Sequence, residues 1–318
     1  MKKLLPFIVL LITIILILKG WWGNQLASVA DDKSTLVFVI DKGESFSKVV
    51  SDLKKQNLIK STFVFNIFAK HSGLSSKIQS GTFRLSPSYS ARDTLNALTS
   101  QPLDSWVTLL EGWRVEEMAE KLSSSLGVDK KEFLKVAKEG YSFPDTYLFP
   151  KDYSAKQIAQ RLQDTFEQKY SDDLKSKIKA LGLTEQQGVV LASIVEREAR
   201  SDQVRTEVAS ILLKRFKIGM GLNADATLQY ILGYQQDEKN WWKRNLTDED
   251  KQVVSPYNTY LHAGLPPAPI CNPGLASLKA VASADPSTPY LYYYHDSKGN
   301  SYYGRTLEEH NQNVANHP

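Results

Sequence analysis

The sequence predicts an α+β protein with three parts: an N-terminal membrane helix, a small α+β module, and a mainly helical domain with long ordered loops and a C-terminal hairpin. Three observations support this fold class. A long apolar run follows two lysines at the N-terminus, a strand-helix-helix pattern occurs twice before residue 150, and helical patterns dominate after residue 153. With 318 residues, 42% of them hydrophobic, the chain can form a sizeable core.

The composition argues against several kinds of function. Thirty-nine basic and 35 acidic residues give a net charge of +4 and form no basic block, so no nucleic-acid partner is expected. The single cysteine, Cys271, rules out an internal disulfide. The five histidines form no short ligand pattern, and we therefore expect neither a metal nor a cofactor.

The first element is a membrane anchor at 1–22. Residues 4–18 carry no charge and are mostly branched, and they are followed by Lys19 and a pair of tryptophans. A helix of this length spans roughly 22 Å, and a snorkelling lysine and interfacial tryptophans extend it toward the ~30 Å hydrocarbon core. The remaining chain should then lie on the outer side of the membrane. The alternative is a cleaved signal peptide, because residues 28–30, Ser-Val-Ala, fit a small-x-small cleavage site.

After a polar linker at 23–34, a small α+β module is predicted at 35–104. It reads as a strand, a turn at Lys42-Gly43, two helices, and then a further strand and helix. Its βααβ order is similar to that of LysM-like modules, which bind glycan chains. The strand-helix-helix pattern recurs 69 residues later, with Gly112 in the place of Gly43, so 105–150 contain a second such unit.

The rest of the chain is predicted to be mainly helical. Thr184 begins a capping box, which fixes the start of one helix. Residues 255–274 are too rich in proline and glycine for a helix or a central strand. The end reads as a hairpin turning at 298–300, followed by a short helix. The predicted helices are 155–170, 172–181, 184–200 and 202–218.

Two acids, Glu196 and Glu198, end the helix that begins at Thr184. On that helix Glu198 continues the stripe of large aliphatic residues, whereas Glu196 points about 160° away, toward small side chains where a ligand could reach it. The alternatives are that Glu196 pairs with Arg200 on a solvated face and that Glu198 caps the stripe at the surface.

Six ordered blocks of the chain together resemble one family, the YceG-like endolytic murein transglycosylases. The blocks are LLEGWRVEEMAEKL (109–122), EGYSFPDTYLF (139–149), LASIVEREA (191–199), VASILLKRFKIGMGLNADATLQY (208–230), SPYNTYLHAGLPPAPICNPGLASLKAV (255–281) and TPYLYYYHDSKGN with EEHN (288–311). The resemblance implies a transglycosylase catalytic domain at 105–318 behind a membrane anchor. It also implies one essential glutamate, the first acid of an IVE motif. That acid is Glu196, and Glu198 would then be structural.

The resemblance also implies a set of substrate-binding residues. The alternatives are that Asp225 is a helix N-cap and that the tyrosines pack within a loop. We expect Arg215 to brace the site through a carboxylate. Ser301 stands where the family usually has a histidine. The implied set is Asp225, Thr227, Tyr257, Asn258, Thr259 and Tyr260.

The implied reaction cuts the MurNAc-GlcNAc bond of peptidoglycan and leaves 1,6-anhydro-MurNAc ends. Glu196 would act first as acid and then as base, with Arg200 pointing away so that the acid keeps its proton. The family also implies cell-wall synthases such as penicillin-binding proteins as partners, and a periplasmic or other extracytoplasmic site on the inner (cytoplasmic) membrane. The alternatives are a hydrolytic muramidase with a second carboxylate, or a non-catalytic membrane-anchored peptidoglycan-binding scaffold.

Overall fold

The computed structural model describes residues 4–100, 102–199 and 201–317. Within them, helices alternate with three two-stranded sheets, which confirms the mixed helix and sheet class. The chain divides into two compact units. The N-terminal unit comprises Met1–Val107 and Tyr147–Asp152, and the C-terminal unit comprises Thr108–Thr146 and Tyr153–Pro318.

The first helix, α1 (Leu4–Leu26), is apolar, and its residues from 9 to 21 are exposed. Its segment Val9–Leu26 is long and apolar enough to cross a membrane, and none of it is buried in the protein. The helix extends into the stretch predicted as a linker. This feature is compatible with a single-pass anchor, and an N-terminal signal sequence would have the same properties.

The remainder of the N-terminal unit has the elements that the sequence predicted. Strand β1 (Leu36–Ile40) pairs antiparallel with β2 (Gly81–Leu85), and the helices are α2 (Phe46–Lys55), α3 (Thr62–His71) and α4 (Ala91–Thr99), with a 3-10 turn at Ser75–Lys77. Serines cap all three helices with their side chains. The order β1-α2-α3-β2 is as expected, while the similarity to LysM-like modules stays a prediction.

The predicted second strand-helix-helix unit is also present. It consists of β3 (Asp104–Thr108), α5 (Val115–Leu126) and α6 (Lys130–Val136). Its turn glycine, Gly112, has φ of +75°, and the matching Gly43 has +82°, so both turns need the left-handed conformation that glycine allows. Strand β4 (Thr146–Pro150), which pairs with β3, was not predicted.

Helices dominate the C-terminal unit. Helix α11 (Asp225–Leu232) was predicted only in part, and α12 (Leu275–Ala282) was not predicted. The loop 255–274 contains no helix or strand, as expected, and a 3-10 turn occurs at Asp250–Gln252. The elements are α7 (Ala155–Lys169), α8 (Asp172–Ala180), α9 (Glu185–Glu198), α10 (Asp202–Lys217), α11 (Asp225–Leu232), α12 (Leu275–Ala282), β5 (Tyr292–His295), β6 (Ser301–Gly304) and α13 (Leu307–Asn316).

Helix α9 lies at the centre of this unit. Every residue from Gly188 to Val195 is buried, and the helix packs against α8, α10, α11 and α12. Thr184 and Gln187 form the predicted capping box. The long loop is tied to α9 because the Ile270 N–H donates to Ser193 Oγ at 3.1 Å. The two acids at the end of α9 are therefore presented from a rigid element.

Candidate active site

The end of α9 borders two cavities, and Glu198 lines both of them. The first, here called the aromatic cavity, has a volume of about 440 Å³, and the second, the hairpin cavity, has about 460 Å³. The aromatic cavity is lined by Glu198 with Asp225, Tyr260, Tyr292, Tyr293 and His310. The hairpin cavity is lined by Glu198 with Arg197, Ser201, Val204, His295, Asp296 and Ser301. A ligand in either cavity can therefore reach the same carboxyl group.

Glu198 has the properties of an acid that works near neutral pH. Burial and the nearby carboxylate of Asp225 raise its pKa to about 7, although hydrogen bonds from the Tyr293 hydroxyl and the Ala226 N–H act in the opposite direction. The Tyr293 hydroxyl lies 3.1 Å from Glu198 Oε2. Burial and the charge of Glu198 raise the pKa of Tyr293 as well, so its hydroxyl keeps its proton and donates. A carboxyl group that is half protonated near pH 7 can act as both acid and base.

Glu196, by contrast, is enclosed and paired within the protein. Its side chain is only 5% exposed, its Oε2 accepts the Gly274 N–H at 2.9 Å, and its Oε1 lies 3.4 Å from Arg205 Nη2. The expectation of an open flank around Glu196 is therefore wrong. The physical reason is that the loop 255–274 returns over this side of α9 and ends on the carboxylate at Gly274. The catalytic role of Glu196 stays a prediction.

Another acid, Glu111, lies beside Glu196 and was not singled out from the sequence. A side chain at position 274 would meet the Glu111 carboxyl, because an added Cβ would lie 1.9 Å from Oε1. Partial burial and the charge of Glu196 raise the pKa of Glu111. Glycine at 274 thus lets the loop, Glu111 and Glu196 come together.

Asp225 and Tyr260 are the two predicted substrate residues that line the aromatic cavity. The Tyr260 hydroxyl donates to Asp225 Oδ1 at 2.6 Å. Asp225 is the first residue of α11, and the N-cap is Ala224, so the alternative that Asp225 caps this helix is wrong. Its carboxylate is left to face Glu198 and the cavity.

Three other predicted residues are buried and bond within the protein. The Asn258 amide donates to the carbonyls of Lys251 and Val253, and the hydroxyls of Thr227 and Thr259 lie 2.9 Å apart. These contacts favour a role in holding the loop. Tyr257 packs against Tyr230, with 5.1 Å between the ring centroids, which agrees with the packing alternative. The sequence could not separate Tyr257, Asn258 and Thr259 from Tyr260 because the four are consecutive in one loop.

Arg215 braces the site, but not through a carboxylate. The side chain is buried and donates to the carbonyl oxygens of Leu291 and Leu222, at 2.6 and 2.7 Å. It therefore fixes the start of the β5–β6 hairpin next to the aromatic cavity. The prediction of an ion pair is wrong, because the groups that accept from Arg215 are backbone carbonyl oxygens. They belong to two segments, at Leu222 and Leu291, that are far apart in the sequence.

The hairpin contributes residues that sequence reasoning missed or set aside. Tyr293 bonds to Glu198, and His310 stacks on Tyr292 while lining the aromatic cavity. Ser301, which replaces the family's histidine, contacts His295 Nδ1 at 2.9 Å. The run of tyrosines at 290–294 was a usable signal, because polar aromatic side chains are common at ligand sites.

Two further observations concern residues outside the acids. In the described ranges, no three His, Cys, Asp or Glu residues lie close enough together to hold a metal ion. The prediction that Arg200 points away from the site concerns a residue outside the part of the chain that the structure describes.

Comparison with known proteins identifies the family. The model of the YceG-like family matches residues 38–316. An endolytic murein transglycosylase of Bacillus subtilis is 29% identical, with 89% of this chain and 84% of that protein aligned. Endolytic murein transglycosylases of two Streptococcus pneumoniae strains are each 24% identical over 94% of this chain, which spans 62% of their length. A crystal structure of a putative YceG-like protein from Listeria monocytogenes has a TM-score of 0.58 and 25% identity, covering 88% of this chain and 99% of that one. The chain therefore belongs to the YceG-like family.

Proposed function

We propose that this protein is an endolytic lytic transglycosylase that cuts the MurNAc-GlcNAc bond of peptidoglycan strands and leaves 1,6-anhydro-MurNAc ends. The observation that carries the proposal is Glu198, an acid with a pKa near 7 on a rigid helix end, placed where two cavities meet. The names of the relatives in Bacillus and Streptococcus agree with this substrate and reaction.

In this proposal Glu198, rather than Glu196, transfers the proton. A general acid must be protonated at working pH and within reach of the departing oxygen. The raised pKa of Glu198 and its place in the lining of both cavities support this assignment. Glu196 is held by Arg205 and the Gly274 amide and lines neither cavity. Glu196 as the acid remains the alternative that mutation must exclude.

The reaction then needs only one carboxyl group and the substrate. Glu198 donates its proton to the glycosidic oxygen, and the bond from that oxygen to C1 of MurNAc breaks. The 6-hydroxyl of the same MurNAc attacks C1, and the Glu198 carboxylate takes the hydroxyl proton. A 1,6-anhydro ring forms, the acid is regenerated and no water is consumed. The carboxylate of Asp225, held by Tyr260, lies where it can stabilise the positive charge that develops on the sugar ring.

A hydrolytic muramidase is the second candidate, because Asp225 and Glu198 line one cavity and could serve as the carboxylate pair of a hydrolase. End-group analysis separates the two. Strands cut by the purified protein should carry anhydro ends that resist borohydride reduction. Reducing ends without anhydro ends would refute the transglycosylase and support the muramidase. A scaffold without catalysis predicts no new ends at all.

The location and partners of the protein follow from the same proposal. Helix α1 would anchor the chain in the inner (cytoplasmic) membrane with one crossing, leaving the catalytic unit on the periplasmic or extracytoplasmic side next to its substrate. A LysM-like module at 35–104 would contribute to glycan binding. Cell-wall synthases such as penicillin-binding proteins would act nearby as partners. Accessibility of cysteines introduced at exposed positions of the C-terminal unit to a membrane-impermeant reagent tests the orientation.

A further inference from the structure

The C-terminal end of α1 is fixed to the rest of the N-terminal unit. Lys60 Nζ donates to Asn24 Oδ1 at 3.2 Å, and Leu26 packs against the buried core of the unit. Just beyond the helix, the Val29 N–H donates to the Pro87 carbonyl at 3.1 Å. No free linker therefore separates the apolar helix from the folded unit, and the position of α1 determines the position of the unit.

The length of α1 sets the distance between this unit and the membrane that α1 would cross. Its 23 residues rise about 34 Å, slightly more than the ~30 Å hydrocarbon core. The pair Trp21–Trp22 suits the outer interface, and Leu26 lies about 6 Å beyond Trp22 along the helix axis. A headgroup layer is about 5–7 Å thick. The core that receives Leu26 therefore begins at the level of the lipid headgroups.

Helix α3, which contacts α1, carries an exposed apolar pair that suits this level. Phe63 and Ile67 lie one turn apart on the same side of α3, and they are 65% and 40% exposed. Lys60, just before the helix, and Lys70, in its last turn, continue this line at spacings of three residues. We call these four residues the α3 stripe. Because Lys60 also bonds to Asn24, the stripe begins at the end of α1.

The charge around the α3 stripe favours an anionic partner. Residues 53–92 contain no aspartate or glutamate, and their basic residues are dispersed rather than consecutive. The two acids that border this segment are engaged, because Asp52 accepts from Lys48 and Lys55, and Asp93 belongs to the capping box of α4. The basic residues of the segment are Lys54, Lys55, Lys60, Lys70, Lys77, Arg84 and Arg92.

We propose that the α3 stripe docks on the anionic surface of the membrane that α1 crosses. Phe63 and Ile67 enter the boundary between headgroups and acyl chains, and Lys60 and Lys70 bind lipid phosphates. This inference rests on the proposed membrane anchor, and it depends neither on the reaction nor on which acid is catalytic. Contacts at both α1 and α3 hold the N-terminal unit in one orientation on the membrane. A soluble polyanion would use the lysines but would leave the apolar pair exposed to water.

Quenching of a fluorophore by lipid measures this contact directly. The only cysteine, Cys271, is buried, so a cysteine introduced at an exposed position can be labelled selectively. Three variants of the whole chain carry a polarity-sensitive label: Ile67→Cys in the α3 stripe, Leu16→Cys in α1, and Val254→Cys as a control at an exposed apolar position of the C-terminal unit. Each is reconstituted in vesicles of phosphatidylcholine mixed with phosphatidylglycerol, with and without brominated acyl chains.

The proposal predicts that brominated lipid quenches the labels at positions 16 and 67 and leaves the label at position 254 unchanged. Adding Lys60→Gln with Lys70→Gln should lower the ratio of docked to free stripe by about 30-fold, because each lysine at an anionic surface contributes about fivefold. Lys130→Gln with Lys131→Gln, two exposed lysines of the C-terminal unit, should have no effect. Vesicles of phosphatidylcholine alone, or high salt, should act like the removal of Lys60 and Lys70.

The outcomes separate this inference from the proposals on which it rests. Quenching at position 16 without quenching at position 67 would overturn the docking of α3 and leave the anchor intact. Absence of quenching at both positions would refute the anchor and the docking together. A label at position 67 that responds to dextran sulfate but not to brominated lipid would refute membrane docking and assign the lysines to a polyanionic polymer. None of these measurements uses a glycan substrate, so all are independent of the formation of anhydro ends.

Discussion

Replacement of Glu198 by glutamine should change the pH dependence of stability. In the folded protein the pKa of Glu198 rises from an ordinary 4.5 to about 7. At about 1.4 kcal/mol for each pH unit, this difference corresponds to roughly 3 kcal/mol. The side chain borders two cavities, so solvent screens part of its charge. We therefore expect the effect on the free energy of unfolding to be about 2 kcal/mol.

The sign of this effect follows from the difference in proton binding between the folded and the unfolded state. The native state holds the Glu198 proton more tightly than the unfolded state, so this group contributes most to stability below about pH 4.5, and the contribution is lost as pH rises through about 7. Glutamine keeps a neutral side chain at every pH. The variant should therefore gain about 2 kcal/mol relative to the unmodified protein between about pH 4.5 and pH 8, or about 4–8 °C in melting temperature for a unit of this size.

Thermal unfolding at about pH 5 and about pH 8.5 measures this change. Glu196→Gln is the matched control, because it removes a charge two residues away and leaves Arg205 with only the exposed Asp202 as an anionic partner. That control should be destabilised at both pH values by about 1–3 kcal/mol. A difference between Glu198→Gln and the unmodified protein that is the same at both pH values would refute the assigned pKa shift.

Three further changes have defined outcomes. Burial is the main cause of the raised pKa of Glu198, and Asp225→Asn removes the carboxylate charge that adds to it, so the alkaline limb of kcat/KM should move down by about 1 pH unit; an unchanged pH-rate profile would contradict this coupling. Gly140→Ala should cost about 3 kcal/mol in urea unfolding, because Gly140 has φ of +84° and an added Cβ would lie 2.3 Å from Pro269, whereas a neutral result would show that the loop yields. Asn258→Ala should cost about 2 kcal/mol and lower kcat through the loop, which full activity at normal stability would exclude.

Local sequence rules predicted most of the elements. Helix α9 begins where the capping box of Thr184 placed it, and the hairpin turns within 298–300. These features depend on contacts between residues three or four apart, so the sequence contains their cause. Strand β4 and helix α12 were missed because short apolar runs have no decisive period and are fixed by the partners they pack against.

The site was predicted less well because its contacts connect distant segments. Helical periodicity placed Glu196 and Glu198 on different faces of α9, which is correct. It could not show that Gly274, 78 residues after Glu196, closes one face. Nor could it show that Tyr293, 95 residues after Glu198, bonds to that acid and lines a cavity beside it. The two acids of the motif differ in surroundings that only the tertiary structure reveals, while the catalytic role of either acid stays a proposal.

The central claim is tested most directly by the rates of two variants under single-turnover conditions, at a temperature where both are folded. We predict that Glu198→Gln lowers the rate of anhydro-end formation by about 10³-fold, while Glu196→Gln stays within about tenfold of the unmodified protein. Retained activity in Glu198→Gln together with its loss in Glu196→Gln would contradict the assignment and transfer the catalytic role to Glu196.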